Sequence, residues 1–188
     1  MASTIFEPLR HRWTVAEYHR LAETGLLDPA ARVELVEGEL IEMPPIGSLH
    51  GGTVNRWVNF LAVALAGKAI VAPQNPVTLD EHSELQPDIA ILRRRDDYYT
   101  NAHPLPRDVL WLIEVADSTV RYDRDIKLPL YARAGIPEAW LLDLANRQLE
   151  IYRDPSPEGY RQMLKPHRQE RVAPGLLPEL RLELATLL

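Results

Sequence analysis

Val109-Leu110-Trp111-Leu112-Ile113-Glu114-Val115 is the most apolar short run in the chain. A run this short and this apolar predicts a strand buried on both faces in the middle of a sheet. Its single charge is Glu114, near the carboxyl end of the strand. An unpaired carboxylate there costs on the order of several kcal/mol, so Glu114 must be paired, protonated or bound to a cation. Open α/β sheets place their sites at the carboxyl ends of strands, which fits this position.

Working upstream, residues 85–92 read as a second strand, with Gln86, Asp88, Ala90 and Leu92 on one face. Residues 68–78 read as another strand, separated from it by a polar turn at 80–84, and a charged, Pro-containing loop covers 93–108. Val54, Trp57, Val58, Leu61 and Leu65 share one face of a core helix over 49–66. Residues 32–43 form a hairpin around Glu37-Gly38, ending at Pro44-Pro45. Thr14 and Glu17 make a capping box for a short helix from Val15 to a stop near Gly25.

Downstream, a helix is expected over 125–134, capped by Asp125, stopped by Gly135 and tolerating Pro129 in its first turn. Strands at 138–144 and 148–153 follow, joined at Asn146-Arg147, and a weakly alternating tail starts at Tyr160. No repeat or linker interrupts this pattern. The expectation is one mixed α/β domain over 1–188, with its core at about 32–153. Trp57, Trp111 and Trp140 each fall in an apolar periodic stretch and are expected in the core.

Composition limits the chemistry. The 188 residues carry 46% hydrophobic and 26% charged side chains, as in an ordinary globular protein. With no cysteine, disulfides, thiolate nucleophiles and Cys-ligated zinc are excluded, so a metal would need oxygen or imidazole ligands. The longest apolar stretch, 60–72, is interrupted by Lys68 and is too short for a bilayer, and no signal-like h-region opens the chain. A cytoplasmic location is expected. A net charge of −6 argues against a protein that coats nucleic acid, without excluding an enzyme that cuts it.

Asp88 and Glu114 carry the chemical reading. On neighbouring strands their like charges repel unless a cation lies between them, and two carboxylates with waters suit Mg²⁺ or Mn²⁺. Lys127, 13 residues beyond Glu114 near the start of the next helix, can point back to position water and steady negative charge. Each residue also has a structural reading: a loop-bonding carboxylate for Asp88, an Arg-neutralised acid for Glu114, and an exposed pair with Asp123 for Lys127. Asp123 itself is expected to be structural.

Pro87-Asp88, Ile113-Glu114-Val115 and Lys127, in this order, resemble the PD-(D/E)XK phosphodiesterase core. Val33-Glu34-Leu35-Val36-Glu37-Gly38-Glu39-Leu40, Met43-Pro44-Pro45, His50, Asp123 and Gly135-Ile136-Pro137-Glu138-Ala139-Trp140 extend the likeness over nearly the whole chain, to the Uma-type family of small bacterial endonucleases. The resemblance implies a restriction-endonuclease-like fold, a central mixed sheet flanked by helices with an N-terminal helix and hairpin. It also implies Mg²⁺-dependent cleavage of DNA. Glu34 matches the family's hairpin acid and is a candidate to approach the metal from the side. His50, starting the core helix, is a candidate to meet a phosphate or a metal-bound water together with the helix N-terminus. One departure stands out: the motif's lysine position, two residues beyond the acid, is Ala116, so the role passes to Lys127.

Two other readings compete. A catalytically silent module binding DNA or a protein partner predicts Lys127 outside the acidic cluster. A metal-free glycoside hydrolase using paired carboxylates predicts a platform of exposed aromatics, which the sequence does not offer. The apolar tail at 176–188 would suit burial against a second copy, so a homodimer is an expectation.

Overall fold

The apolar run forms strand β7 (Val109–Ala116), every residue of which is buried. The computed structural model describes residues 10–28 and 30–187. Strand β6 (Ile89–Arg93) pairs with β7 antiparallel and β8 (Glu138–Asp143) pairs with it parallel. With β3 (Ala69–Pro73) at one edge and β9 (Gln148–Ser156) and β10 (Gly159–Leu164) at the other, the mixed sheet has the order β10-β9-β8-β7-β6-β3.

Alternation along β7 divides its side chains between two layers. Trp111, Ile113 and Val115 face helix α2 (Ser48–Ala64), packing with its Val54, Trp57 and Leu61 and with Trp140 of β8. Trp57 and Trp140 meet edge-on with ring centres 6.1 Å apart, and all three tryptophans are fully buried. Leu112 and Ala116 point to the opposite layer, with Leu128, Leu130 and Tyr131. Glu114, between them in the alternation, therefore points into that second layer.

The second layer comes from the crossover that a parallel β7–β8 pair requires. It is one helical stretch in three parts: α3 (Val120–Tyr122), a π-helical segment (Asp123–Lys127) and α4 (Leu128–Arg133). This corrects the expected helix, which starts earlier than residue 125 and has no side-chain cap from Asp125. Pro129 explains the widened turn. It has no N–H for an i→i−4 bond and its ring crowds the preceding turn. The helix accommodates it by shifting to i→i−5 bonding just upstream, where the Leu128 N–H reaches the Asp123 carbonyl.

Two expected strands are each split between sheets. The 68–78 stretch breaks after Pro73, where Gln74 takes φ +52, into β3 and β4 (Val77–Asp80). The 85–92 stretch breaks at Gln86-Pro87-Asp88 into β5 (Ser83–Leu85) and β6. Proline cannot donate to a ladder, and the chain changes sheets at these points. A second sheet results, ordered β2-β1-β5-β4, in which β1 (Val33–Val36) and β2 (Glu39–Glu42) are the expected hairpin. Asp88 therefore stands at the crossing between sheets, pinned by the Gln74 N–H on its carbonyl at 3.1 Å.

Helix α1 (Val15–Glu23) starts with the expected capping box and lies against this second sheet, its Tyr18 hydroxyl donating to the Val33 carbonyl at 2.7 Å. The tail differs from expectation. β10 adds an edge strand, β11 (Arg171–Val172) pairs with β12 (Leu182–Glu183), and α5 (Leu184–Leu187) follows. Leu180, Leu182, Leu184 and Leu187 are buried on the chain's own α2-side core, which removes the sequence's reason for expecting a dimer. Leu188 lies outside the described residues. No described helix is long and apolar enough to cross a membrane.

Candidate functional site

Four acids come together where the two sheets, α2 and the π-helical segment meet. Glu34, Asp88, Glu114 and Asp123 are each no more than 6% exposed. Asp88 reaches this place because the Pro87 crossing turns the chain toward the end of β7. There the Val115 N–H donates to Asp88 Oδ2 at 2.9 Å, and the Asp88 N–H donates to Glu114 Oε2 at 3.3 Å. Each carboxylate is thus fixed by the other's backbone neighbourhood.

Lys127 is buried inside the cluster. Its Nζ lies 3.0 Å from Glu34 Oε1 and 3.4 Å from Glu114 Oε1. The Gln86 N–H also donates to Glu34 Oε1, and the Tyr131 hydroxyl donates to Glu114 Oε1. Asp123, Lys127 and Tyr131 follow one another at intervals of four residues along the helical stretch, which brings all three to one face. Asp123, expected to be structural, is buried, accepts from Thr119 Oγ1 at 2.7 Å and also lines the cavity. The four-residue spacing was the signal that would have found it and Tyr131.

His50 enters from the first turn of α2, its Nε2 3.0 Å from Asp88 Oδ2. Gly47 caps this helix without a side-chain bond, so its first N–H groups are left for another acceptor. Ile46, Gly47, His50, Asp88, Glu114, Asp123 and Lys127 line a cavity of about 170 Å³, and Arg32 contributes a cation to its wall. All five residues singled out from the sequence are thus in one neighbourhood. Glu34 is the exception to the lining, standing behind Lys127 with its second oxygen, Oε2, buried and without a partner.

The electrostatics follow from four acids sharing so little water. Burial pushes the Glu114 carboxyl up to about 8, against the pull of Lys127. Burial also raises Asp123, to about 6, with Lys127 and the Thr119 bond opposing. For Lys127 burial acts downward, but Glu114, Glu34 and Asp123 outweigh it and hold the ammonium charged. His50 is raised by its bond to Asp88, with burial opposing.

Four carboxyls crowd one ammonium and one imidazole, with Arg32 on the wall, and a bound cation would favour their ionised forms. Three cavity-lining carboxyls offering hard oxygens, two of them raised by burial, are a donor set that a divalent cation of the Mg²⁺ class would fit. Asp88, Glu114 and Asp123 are the cavity-lining acids that could hold it.

The chain is similar, at 18% identity, to a solved structure from Anabaena variabilis described as a "putative nuclease belonging to DUF820". The match has a TM-score of 0.71 and covers 93% of this chain and 97% of that one, and at this identity it speaks for the fold. The comparison with curated proteins finds no match. The Uma2 family model, described as "Putative restriction endonuclease", matches residues 15–185. That span takes in both sheets, the crossing at Asp88 and the whole acidic cluster, and the chain belongs to the Uma2 family.

Proposed function

We propose that the chain is a Mg²⁺- or Mn²⁺-dependent endonuclease that hydrolyses phosphodiester bonds in DNA, with Asp88 and Glu114 as metal ligands. The observation that carries this reading is Lys127: its ammonium is buried between Glu34 and Glu114 and borders the same cavity as Asp88. A divalent cation there would supply a water of lowered pKa and positive charge beside the phosphate.

The chain's own groups divide the remaining work. Asp88 and Glu114 offer oxygens, with Asp123 as a third acid on the cavity wall. Lys127, fixed by Glu34, orients water and steadies charge as a water oxygen attacks phosphorus and one P–O ester bond breaks, its oxygen taking up a proton. His50 and the open N–H groups at the start of α2 are placed for a phosphate oxygen, and Arg32 adds a cation on the same wall. Ala116, fully buried where the motif would have lysine, favours the silent binding module. Lys127 inside the cluster is the opposite of what that module predicts.

The test is incubation of purified protein with supercoiled and single-stranded DNA in Mg²⁺, Mn²⁺ or EDTA. Cleavage that needs the metal is the expected result. The absence of cleavage in either metal, or cleavage that survives EDTA, refutes the proposal.

A further inference from the structure

A second group of metal-type ligands lies away from the acidic cavity. His19 is on α1, Glu84 on β5, and His103 on the loop between β6 and the turn at Pro106–Asp108. One ligand atom from each lies within 4.8 Å of the other two; among the described residues this trio alone meets that condition. The acids of the nuclease cavity, held apart around Lys127, do not.

Two features show that the trio is arranged in advance. Glu84 is buried, and Thr78 Oγ1 donates to its Oε2 at 2.6 Å, leaving Oε1 to face His19 Nε2 at 2.8 Å. The Thr78 N–H donates to the Pro104 carbonyl at 3.0 Å, so the same residue also anchors the chain next to His103. The His19 and His103 rings are 5.6 Å apart, edge to face. Both line an open groove with Thr78, Tyr99 and Asn101, which leaves room for water on the exposed side.

We propose that His19, Glu84 and His103 form a Zn²⁺ site, with solvent in the fourth position. Two imidazoles and a carboxylate are a zinc ligand set, whereas Mg²⁺ prefers oxygens alone. At bond lengths near 2.0–2.2 Å a tetrahedral ion sets its ligand atoms roughly 3.4 Å apart. His19 and Glu84 therefore need to open by only about half an ångström, and His103 to move inward on an exposed loop. The bound ion clamps α1 and the 94–105 loop to β5, the strand that leads into the crossing at Asp88.

The experiment is calorimetric titration of the tag-free chain with Zn²⁺ in excess Mg²⁺, alongside thermal unfolding with and without Zn²⁺. One Zn²⁺ per chain and a raised Tm are expected. His103→Ala and His19→Ala, both at partly exposed positions outside the core, should lose the Tm rise. Their affinity should fall by more than the roughly 10- to 100-fold that loss of an outer-shell partner costs. Asp88→Asn should bind Zn²⁺ as the unaltered chain does. The proposal is overturned if the unaltered chain takes up no Zn²⁺, if His103→Ala binds it equally well, or if Asp88→Asn abolishes binding. None of these outcomes depends on DNA cleavage.

Discussion

Replacing Lys127 with Met removes the ammonium and keeps a stem of similar length in a site where the lysine is 2% exposed. At 3.0 Å, the contact to Glu34 is worth about 5 kcal/mol of gross attraction at an effective dielectric constant near 20, and the 3.4 Å contact to Glu114 adds to it only for the ionised fraction of that carboxyl. Desolvation of the ions offsets much of this, and breaking a buried pair costs about 3–5 kcal/mol net. Glu114, already pushed up to about 8 by burial, takes a proton more readily once the lysine is gone. That relief sets the loss near the low end, about 3 kcal/mol, or roughly 6–12 °C in Tm for a chain of this size. Thermal and denaturant unfolding at neutral pH without divalent metal measures it. Excess Mg²⁺ should recover more stability in Lys127→Met than in the unaltered chain, because the cation no longer meets an ammonium in the same cluster. A change under about 0.5 kcal/mol, the range of an ordinary surface substitution, would refute the view that Lys127 neutralises buried acids. So would Mg²⁺ stabilising the unaltered chain more than the variant.

Two further outcomes follow from local geometry. Gly38 has φ +83, and a Cβ there would stand 2.7 Å from Arg12 Cβ, so Gly38→Ala should cost about 2 kcal/mol. Gly25→Ala has a similar φ of +74 but open space around it and should cost about 1 kcal/mol; equal losses in denaturant titrations would refute the steric part of this argument. Burial raises the Glu150 carboxyl, but bonds from Arg124, Lys165 and Tyr152 win and depress it to about 2 from 4.5. The unfolded chain therefore binds the proton more tightly. Glu150's contribution is fully present above about pH 4.5 and is lost as pH falls toward 2. Glu150→Gln should flatten stability against pH in that window, and an unchanged acid limb would contradict the assignment.

The parts of the fold legible in the sequence were those where one local pattern decides the outcome. The 109–115 run reads as a central strand from its apolarity alone, whereas Asp88, expected within a strand, reaches the end of β7 from the bend just before β6. What escaped was longer in range. Pro73, Pro76 and Pro87 lie at the breaks in the expected 68–78 and 85–92 strands, but nothing local says that the chain changes sheets there. Asp125 resembles a cap and Pro129 an early helical residue, which points to a start at 125, whereas the helical stretch begins at Val120. The π-helical turn that lets the helix run through Pro129 has no simple sequence signature. An acid four residues before a lysine is ordinarily half of an exposed pair, which hides the role of Asp123 and Lys127; here the face they share is the buried one. The tail's leucines were apolar enough to need a partner, and that partner is the chain's own core.

Glu114→Gln decides between a carboxylate that holds a metal with Asp88 for DNA hydrolysis and one that only supports the fold. The glutamine keeps the shape and removes the charge. DNA cleavage in Mg²⁺ by this variant should fall by roughly 100-fold or more against the unaltered chain, with both shown to be folded by a cooperative unfolding transition. Equal cleavage by the two would contradict the account.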